Sequence, residues 1–122
     1  MNNYFPVKRI IKIVDGDTVD VLVDLGFYQY HQCRVRLDGI DCPETRTRDP
    51  EEKEKGLAAK KRTKEWLKLH KEDLVLWSFG IGKYGRVLGD FLAGEAGLDV
   101  KYGLVQTLLD EGHGTPYDGG KR

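Results

Sequence analysis

The chain has 122 residues, enough for one domain that buries roughly two-thirds of its unfolded surface without disulfide staples. Hydrophobic residues make up 39% and charged residues 33%, with 20 Lys+Arg against 20 Asp+Glu, so the formal net charge is 0. That balance excludes a uniformly basic nucleic-acid coat but allows a local basic site. No apolar stretch reaches the length of a membrane span. Cys33 and Cys42 form neither a disulfide framework nor a zinc spacing, and two reduced thiols are expected. His31, His70 and His113 are far apart and show no metal-ligand spacing. The opening Met-Asn-Asn-Tyr-Phe-Pro-Val-Lys-Arg has no apolar run or cleavage site of a signal peptide, so a cytoplasmic location is expected.

Val7 to Val14 reads as the first strand, apolar with Lys and Arg interspersed. After Asp15-Gly16, Thr18 to Asp24 alternates Val19, Val21 and Val23 with Asp20, Leu22 and Asp24, the period of a half-buried strand. Leu25 to Tyr28 connects it to a third strand, Gln29 to Leu37, with Cys33, Val35 and Leu37 on one face and Arg34 and Arg36 on the other. From Pro50 to about His70 the composition turns to Glu, Lys, Ala and Leu, predicting a helix capped by Asp49 with Pro50 in its first turn. Leu74 to Phe79 and Arg86 to Leu92 read as strands joined by a Gly80–Gly85 hairpin loop. Gly94 and Gly97 flank a turn. A second helix is predicted from about Tyr102 to Glu111, with Leu104, Leu108 and Leu109 inward and Gly112 as its stop. The tail from Thr115 reads as loop. This order predicts a mainly β, α+β fold: a five-stranded barrel of the oligonucleotide/oligosaccharide-binding (OB) type with two packed helices. Residues 1–122 then form one domain, with a core from about 7 to 112 and a tail from 113 to 122.

Three segments carry possible chemistry. Asp15-Gly16-Asp17-Thr18 has a turn signal in Asp-Gly, which accounts for Asp15 and Gly16 but not for Asp17. In Arg36-Leu37-Asp38-Gly39-Ile40-Asp41-Cys42-Pro43-Glu44-Thr45 a strand ends and two carboxylates follow, three residues apart around a proline. Alone it reads equally as a solvated acidic turn. If the two turns meet at one barrel end, Asp17, Asp41 and Glu44 supply the oxygen ligands that a hard cation such as calcium takes. Lys83-Tyr84-Gly85-Arg86 alone is an ordinary polar turn. Gly80-Ile81-Gly82-Lys83-Tyr84-Gly85 also matches the dinucleotide-binding glycine pattern, but a strand follows it where that fingerprint needs a helix.

Taken together and in this order, the three segments resemble the signature of the staphylococcal nuclease (thermonuclease) family, over about Val7 to Gly112. The resemblance implies a calcium-dependent nuclease that hydrolyses phosphodiester bonds of DNA or RNA. By position it implies calcium ligands at Asp17, Asp41 and the backbone carbonyl of Cys42. It implies that Glu44 contacts the attacking water as base or orienting group, and that Arg36 and Arg86 clamp the reacting phosphate. Lys83 and Tyr84 match residues that hold a neighbouring phosphate, and Tyr117 is placed to stack on a base. The clamp also has independent logic, because a planar guanidinium binds two phosphate oxygens at once. Cys42 stands where the family often has threonine, which leaves a backbone ligand unaffected.

A catalytically silent nucleic-acid-binding module of the same fold is the alternative, as is a barrel that binds an anionic ligand without metal. None of the aspartates or arginines is lost here, which favours the enzyme. A monomer with DNA or RNA as its partner is expected, and no protein partner is inferable.

Overall fold

The computed structural model describes residues 3–93 and 103–117, the side chain of Lys83 excepted. The turn expected at Gly94 and Gly97 and the helix start at Tyr102 lie outside these residues. The elements are β1 (Asn3–Asp15), β2 (Thr18–Gly26), β3 (Gln29–Leu37), β4 (Ile40–Asp41), α1 (Pro50–Leu69), β5 (Val75–Ile81), β6 (Val87–Leu92), α2 (Leu104–Asp110) and β7 (Thr115–Pro116). Strands β1, β2, β3, β6 and β5 close into a barrel in that order. All neighbours are antiparallel except β3 and β6, whose parallel pairing seals it.

The chain closes a barrel because β1 serves two neighbours. Asn3–Pro6 pairs with β5, and Val7–Asp15 pairs with β2. The first strand therefore starts four residues before the expected Val7. Pro6 has no amide hydrogen for the ladder, yet the next residue resumes bonding, its N–H donating to the Leu74 carbonyl at 3.0 Å. Register shifts follow Val7, Ile10 and Ile13, and each adds a residue to β1. Bulges of this kind bend a strand and increase its twist. They also change the side-chain period, so that Val7, Ile10 and Ile13 pack on the core while Lys8, Arg9, Ile11 and Lys12 are exposed.

Across from this irregular strand, β2 keeps strict alternation. Val19, Val21 and Val23 are buried and meet Val35 and Leu37 of β3, Leu76 of β5 and Phe91 of β6 in one core. The β2–β3 hairpin turns on Phe27 and Tyr28, both at positive φ (57° and 61°), the geometry that matches strand twist in a two-residue loop. At the β5–β6 hairpin, Gly80 and Ile81 stay in β5 after a register shift, so the connection is tighter than the expected loop. The Gly82 N–H closes it by donating to the Arg86 carbonyl at 2.8 Å.

Helix α1 begins as expected. The Asp49 carboxylate accepts from the Glu51 N–H at 3.0 Å, with Pro50 in the first turn. Its buried residues Gly56, Ala59, Thr63, Trp66 and Leu67 follow helical spacing and cover the barrel's end. Helix α2 presents Leu104 and Leu108 to the same core. Gly112, at φ 75°, ends it, and the His113 N–H donates to the Leu108 carbonyl. The tail departs from expectation: Thr115 and Pro116 pair with Asp41 and Ile40, so the chain beyond Gly112 belongs to the fold as far as Tyr117.

The N-terminus of α2 has only Gly103 as its cap residue, and Asp90 of β6 fills that role from the barrel. Asp90 Oδ1 accepts from the N–H of Val105 at 3.0 Å and from its own neighbour Phe91 at 2.8 Å. A Cβ on Gly103 would lie 2.6 Å from Asp90 Oδ2, so the close approach requires glycine. Burial pushes the Asp90 carboxyl up to about 6, against these hydrogen bonds, which pull it down. The native state therefore keeps a proton that the unfolded chain has already lost. This group's contribution to stability is full below pH 3.8 and is lost as pH rises through about 6. The rise from 3.8 to about 6 corresponds to about 3 kcal/mol at most. Asp90→Asn keeps an oxygen acceptor and removes the titration. In denaturant unfolding, its stability relative to wild type should be near zero at pH 4 and should increase by up to about 3 kcal/mol by pH 7. A difference that does not change with pH would contradict this role.

Candidate active site

The turn between β1 and β2 and the segment after β3 meet at one end of the barrel. Asp17 is the second residue of the turn, is only 7% exposed, and has both carboxylate oxygens engaged. Oδ1 accepts from the Thr18 hydroxyl at 3.1 Å, and Oδ2 accepts from the Cys42 N–H at 2.9 Å. The main chain repeats the link, with the Leu37 N–H donating to the Asp17 carbonyl at 2.8 Å. Asp15 does more than form a turn. Its Oδ1 accepts from both the N–H (3.2 Å) and the hydroxyl (2.7 Å) of Thr45 and so holds the far end of the same loop.

Arg36 lies between these segments, with its side chain mostly buried. Nη1 donates to the carbonyls of Leu37 at 2.7 Å and Ile40 at 2.8 Å, which fixes the guanidinium over the β3–β4 turn. From there it faces two carboxylates, Asp17 Oδ2 at 3.5 Å from Nη1 and Asp41 Oδ1 at 3.4 Å from Nη2. Tyr117 completes the group. Pairing of β7 with β4, with the Tyr117 N–H donating to the Gly39 carbonyl, brings its ring to 5.6 Å from Arg36 Cζ. A short strand pairing therefore carries Tyr117 to the site, from a stretch that reads as loop in sequence.

The remaining candidates stand around this cluster. Glu44 is exposed, on the wall of an open cleft of about 910 Å³ that also takes in Asp41, Cys42 and the first turns of α1. Arg86 and Tyr84 form a second group at the β5–β6 turn. The Arg86 guanidinium carbon lies 5.8 Å from the Tyr84 ring, which is 90% exposed at a φ of 65°. Parallel pairing of Val35 with Val87 ties this turn to the strand that bears Arg36. Arg86 Nε is buried and has no hydrogen-bond partner among the described residues. The side chain of Lys83 lies outside the described set. Burial, with Asp17 nearby, pushes the Cys42 thiol up to about 12, so it stays protonated and is a poor metal ligand.

Helix α1 supplies the seat for both loops, and nothing in the three motifs signals it. The Thr63 hydroxyl, fully buried, donates to the Gly16 carbonyl at 2.7 Å. A Cβ on Gly16 would lie 2.8 Å from Ala59 Cβ, and one on Gly56 would lie 2.4 Å from the Glu44 carbonyl oxygen. A glycine and a threonine seven residues apart inside a helix, both poor helix formers, are the one sequence signal for this seat.

Because the atoms that a Cβ at position 56 would strike are backbone, no rotamer relieves the contact. Gly56→Ala gains about 1 kcal/mol of helix propensity, against about 1–3 kcal/mol or more for overpacking. The expected outcome is a net loss of stability in chemical denaturation, with the amide resonances of residues 43–45 displaced. A stability gain with those resonances unmoved would contradict the seating of the Glu44 loop on α1.

A model of the staphylococcal nuclease homologue family matches residues 34–117. No curated protein matches the chain. The matched segment holds Arg36, Asp41, Glu44, Arg86 and Tyr117, while the Asp15–Thr18 turn precedes it and is joined to it by the Asp17–Cys42 and Asp15–Thr45 hydrogen bonds. With that match across most of its length and a closed five-stranded barrel carrying two helices, the chain belongs to the staphylococcal nuclease family, as a nuclease-like or nucleic-acid-binding domain.

Proposed function

We propose that this domain is a calcium-dependent nuclease acting on DNA or RNA, with Asp17, Arg36, Asp41, Glu44 and Arg86 as its working residues. The observation that carries this reading is the convergence of Asp17 and Asp41 on the one guanidinium of Arg36. Two acids against one base leave an excess of negative charge beside a fixed phosphate-binding group. Among the described residues no three His, Cys, Asp or Glu side chains form a closed metal cage. Calcium does not need one, since backbone carbonyls and water make up much of its oxygen shell. The donor set here fits it: two carboxylates, with the Cys42 carbonyl in the loop that Asp17 holds. When bound, the ion supplies Lewis-acid charge to the phosphate.

The chain's own residues do the rest. Arg36 is fixed through Nη1 by two carbonyls, and its Nη2 side, which faces Asp41, is the part of the planar fork left for phosphate oxygens. Arg86 brings a second guanidinium, whose buried Nε has no hydrogen-bond partner among the described residues. Glu44, at the cleft wall, orients the attacking water and accepts its proton. Tyr117 backs Arg36 and offers a ring face to a base. Lys83 and Tyr84 are assigned to a neighbouring phosphate.

Cleavage of single-stranded DNA and of RNA, with calcium and with chelator, tests this directly. Arg86→Ala removes a guanidinium whose Nε has no hydrogen-bond partner among the described residues, so it should lower the cleavage rate about 10²–10³-fold while leaving the unfolding temperature nearly unchanged. Arg36→Lys should lose comparable activity, because an ammonium cannot reproduce the fork. Binding of nucleic acid with no calcium-dependent cleavage of either substrate would replace the enzyme with a binding module.

A further inference from the structure

On the side of α1 away from the Glu44 cleft lies a second groove, of about 660 Å³, between the helix and β1. The two clefts share no lining residue. In a chain of zero net charge, this groove is strongly one-sided. Lys60, Lys64 and Lys68 line it from α1, one helical turn or about 6 Å apart, and Lys71 continues the row. Lys8, Arg9 and Lys12 face them from β1, and Glu72 is the single acidic residue of the lining. The bulges of β1 create this face, because they turn the extra residues outward. Among the described residues no ion pair engages any of these seven cations. Between the two rows the lining is apolar: Ile11 is exposed there, beside the partly buried Ile10 and the buried core residues Leu67 and Leu74. At its strand edge Lys8 Nζ lies 5.5 Å over the Tyr30 ring. Beyond Tyr30, the same hairpin ends in Phe27 and Tyr28, 95% and 93% exposed.

We propose that this groove is a second nucleic-acid-binding surface, which holds a single-stranded segment of the substrate away from the candidate active site. Two cationic rows match a chain of phosphates. An apolar floor and exposed rings match unpaired bases, which a duplex keeps stacked inside. The groove raises affinity for long substrates and leaves the chemistry at Arg36 unchanged. The proposal rests on the family's nucleic-acid substrate, but not on catalysis.

Binding of a fluorescent single-stranded oligonucleotide in chelator, where no calcium-dependent cleavage occurs, separates the two questions. The variant is Lys60→Gln, Lys64→Gln and Lys68→Gln together, on the solvent side of a helix, with folding checked by circular dichroism. Its affinity for a long oligonucleotide should fall about ten-fold or more, and the slope of log K against log salt should lessen by about 2, from three lost phosphate contacts. Calcium-dependent cleavage of a dinucleotide, too short to span both sites, should match wild type. Unchanged affinity and salt slope would overturn the proposal. So would loss of binding to anionic lipid vesicles with oligonucleotide binding intact. If wild type cleaves nothing, the enzyme reading fails, and the groove still stands or falls on the binding data.

Discussion

The hydrogen bond from the Cys42 amide to the Asp17 carboxylate joins two parts of the chain that are 25 residues apart, and the candidate site depends on it. Asp17 lies in the β1–β2 turn, and Cys42 follows β4. Unless the two are held together, Asp17 and Asp41 have no reason to face one arginine. The bond lies in a buried place, where an unmade partner costs about 1–3 kcal/mol, so it is made in the folded state rather than fluctuating at the surface. The Leu37–Asp17 backbone bond and the Asp15–Thr45 pair run alongside it. Three parallel ties make the relative position of the two loops a property of the barrel itself.

What lies behind those loops is as important as what joins them. Helix α1 presents a flat patch built from Gly56, Ala59 and Thr63, onto which the Gly16 turn and the Glu44 loop settle at backbone contact. The same helix carries the lysine row on its other side, so one element seats the candidate active site and lines the basic groove. Neutral net charge conceals this division. Two acids of α1, Glu51 and Glu52, lie towards the cleft at the helix N-terminus, and Lys60, Lys64 and Lys68 lie towards β1.

Much of this was legible in sequence. Period-two valines in β2 located the core, Asp49-Pro50 located the start of α1, and the first two charged motifs located Asp17, Arg36 and Asp41, which converge. Where reading failed, a long-range constraint had replaced the local signal. Bulges changed the period of β1 from two to three, which a search for alternation does not detect. The two-residue strand β7 has no pattern of its own and exists only because β4 is beside it. Asp15 looked fully explained by a turn, while its carboxylate in fact binds Thr45, 30 residues away. Gly56 and Thr63 carry no signal in the three motifs, because their reason is the loops packed against them.

The proposed function requires Asp17 and Asp41 to form a calcium site within this framework. Calcium titration followed by thermal unfolding tests it without any assay of activity, using wild type and Asp41→Asn. A ligand that binds only the native state raises its apparent stability. Calcium, but not an equal ionic strength of sodium, should raise the unfolding temperature of wild type, and the rise should disappear in Asp41→Asn. An equal rise in both proteins would place the ion elsewhere, and no rise in either would remove calcium from the site.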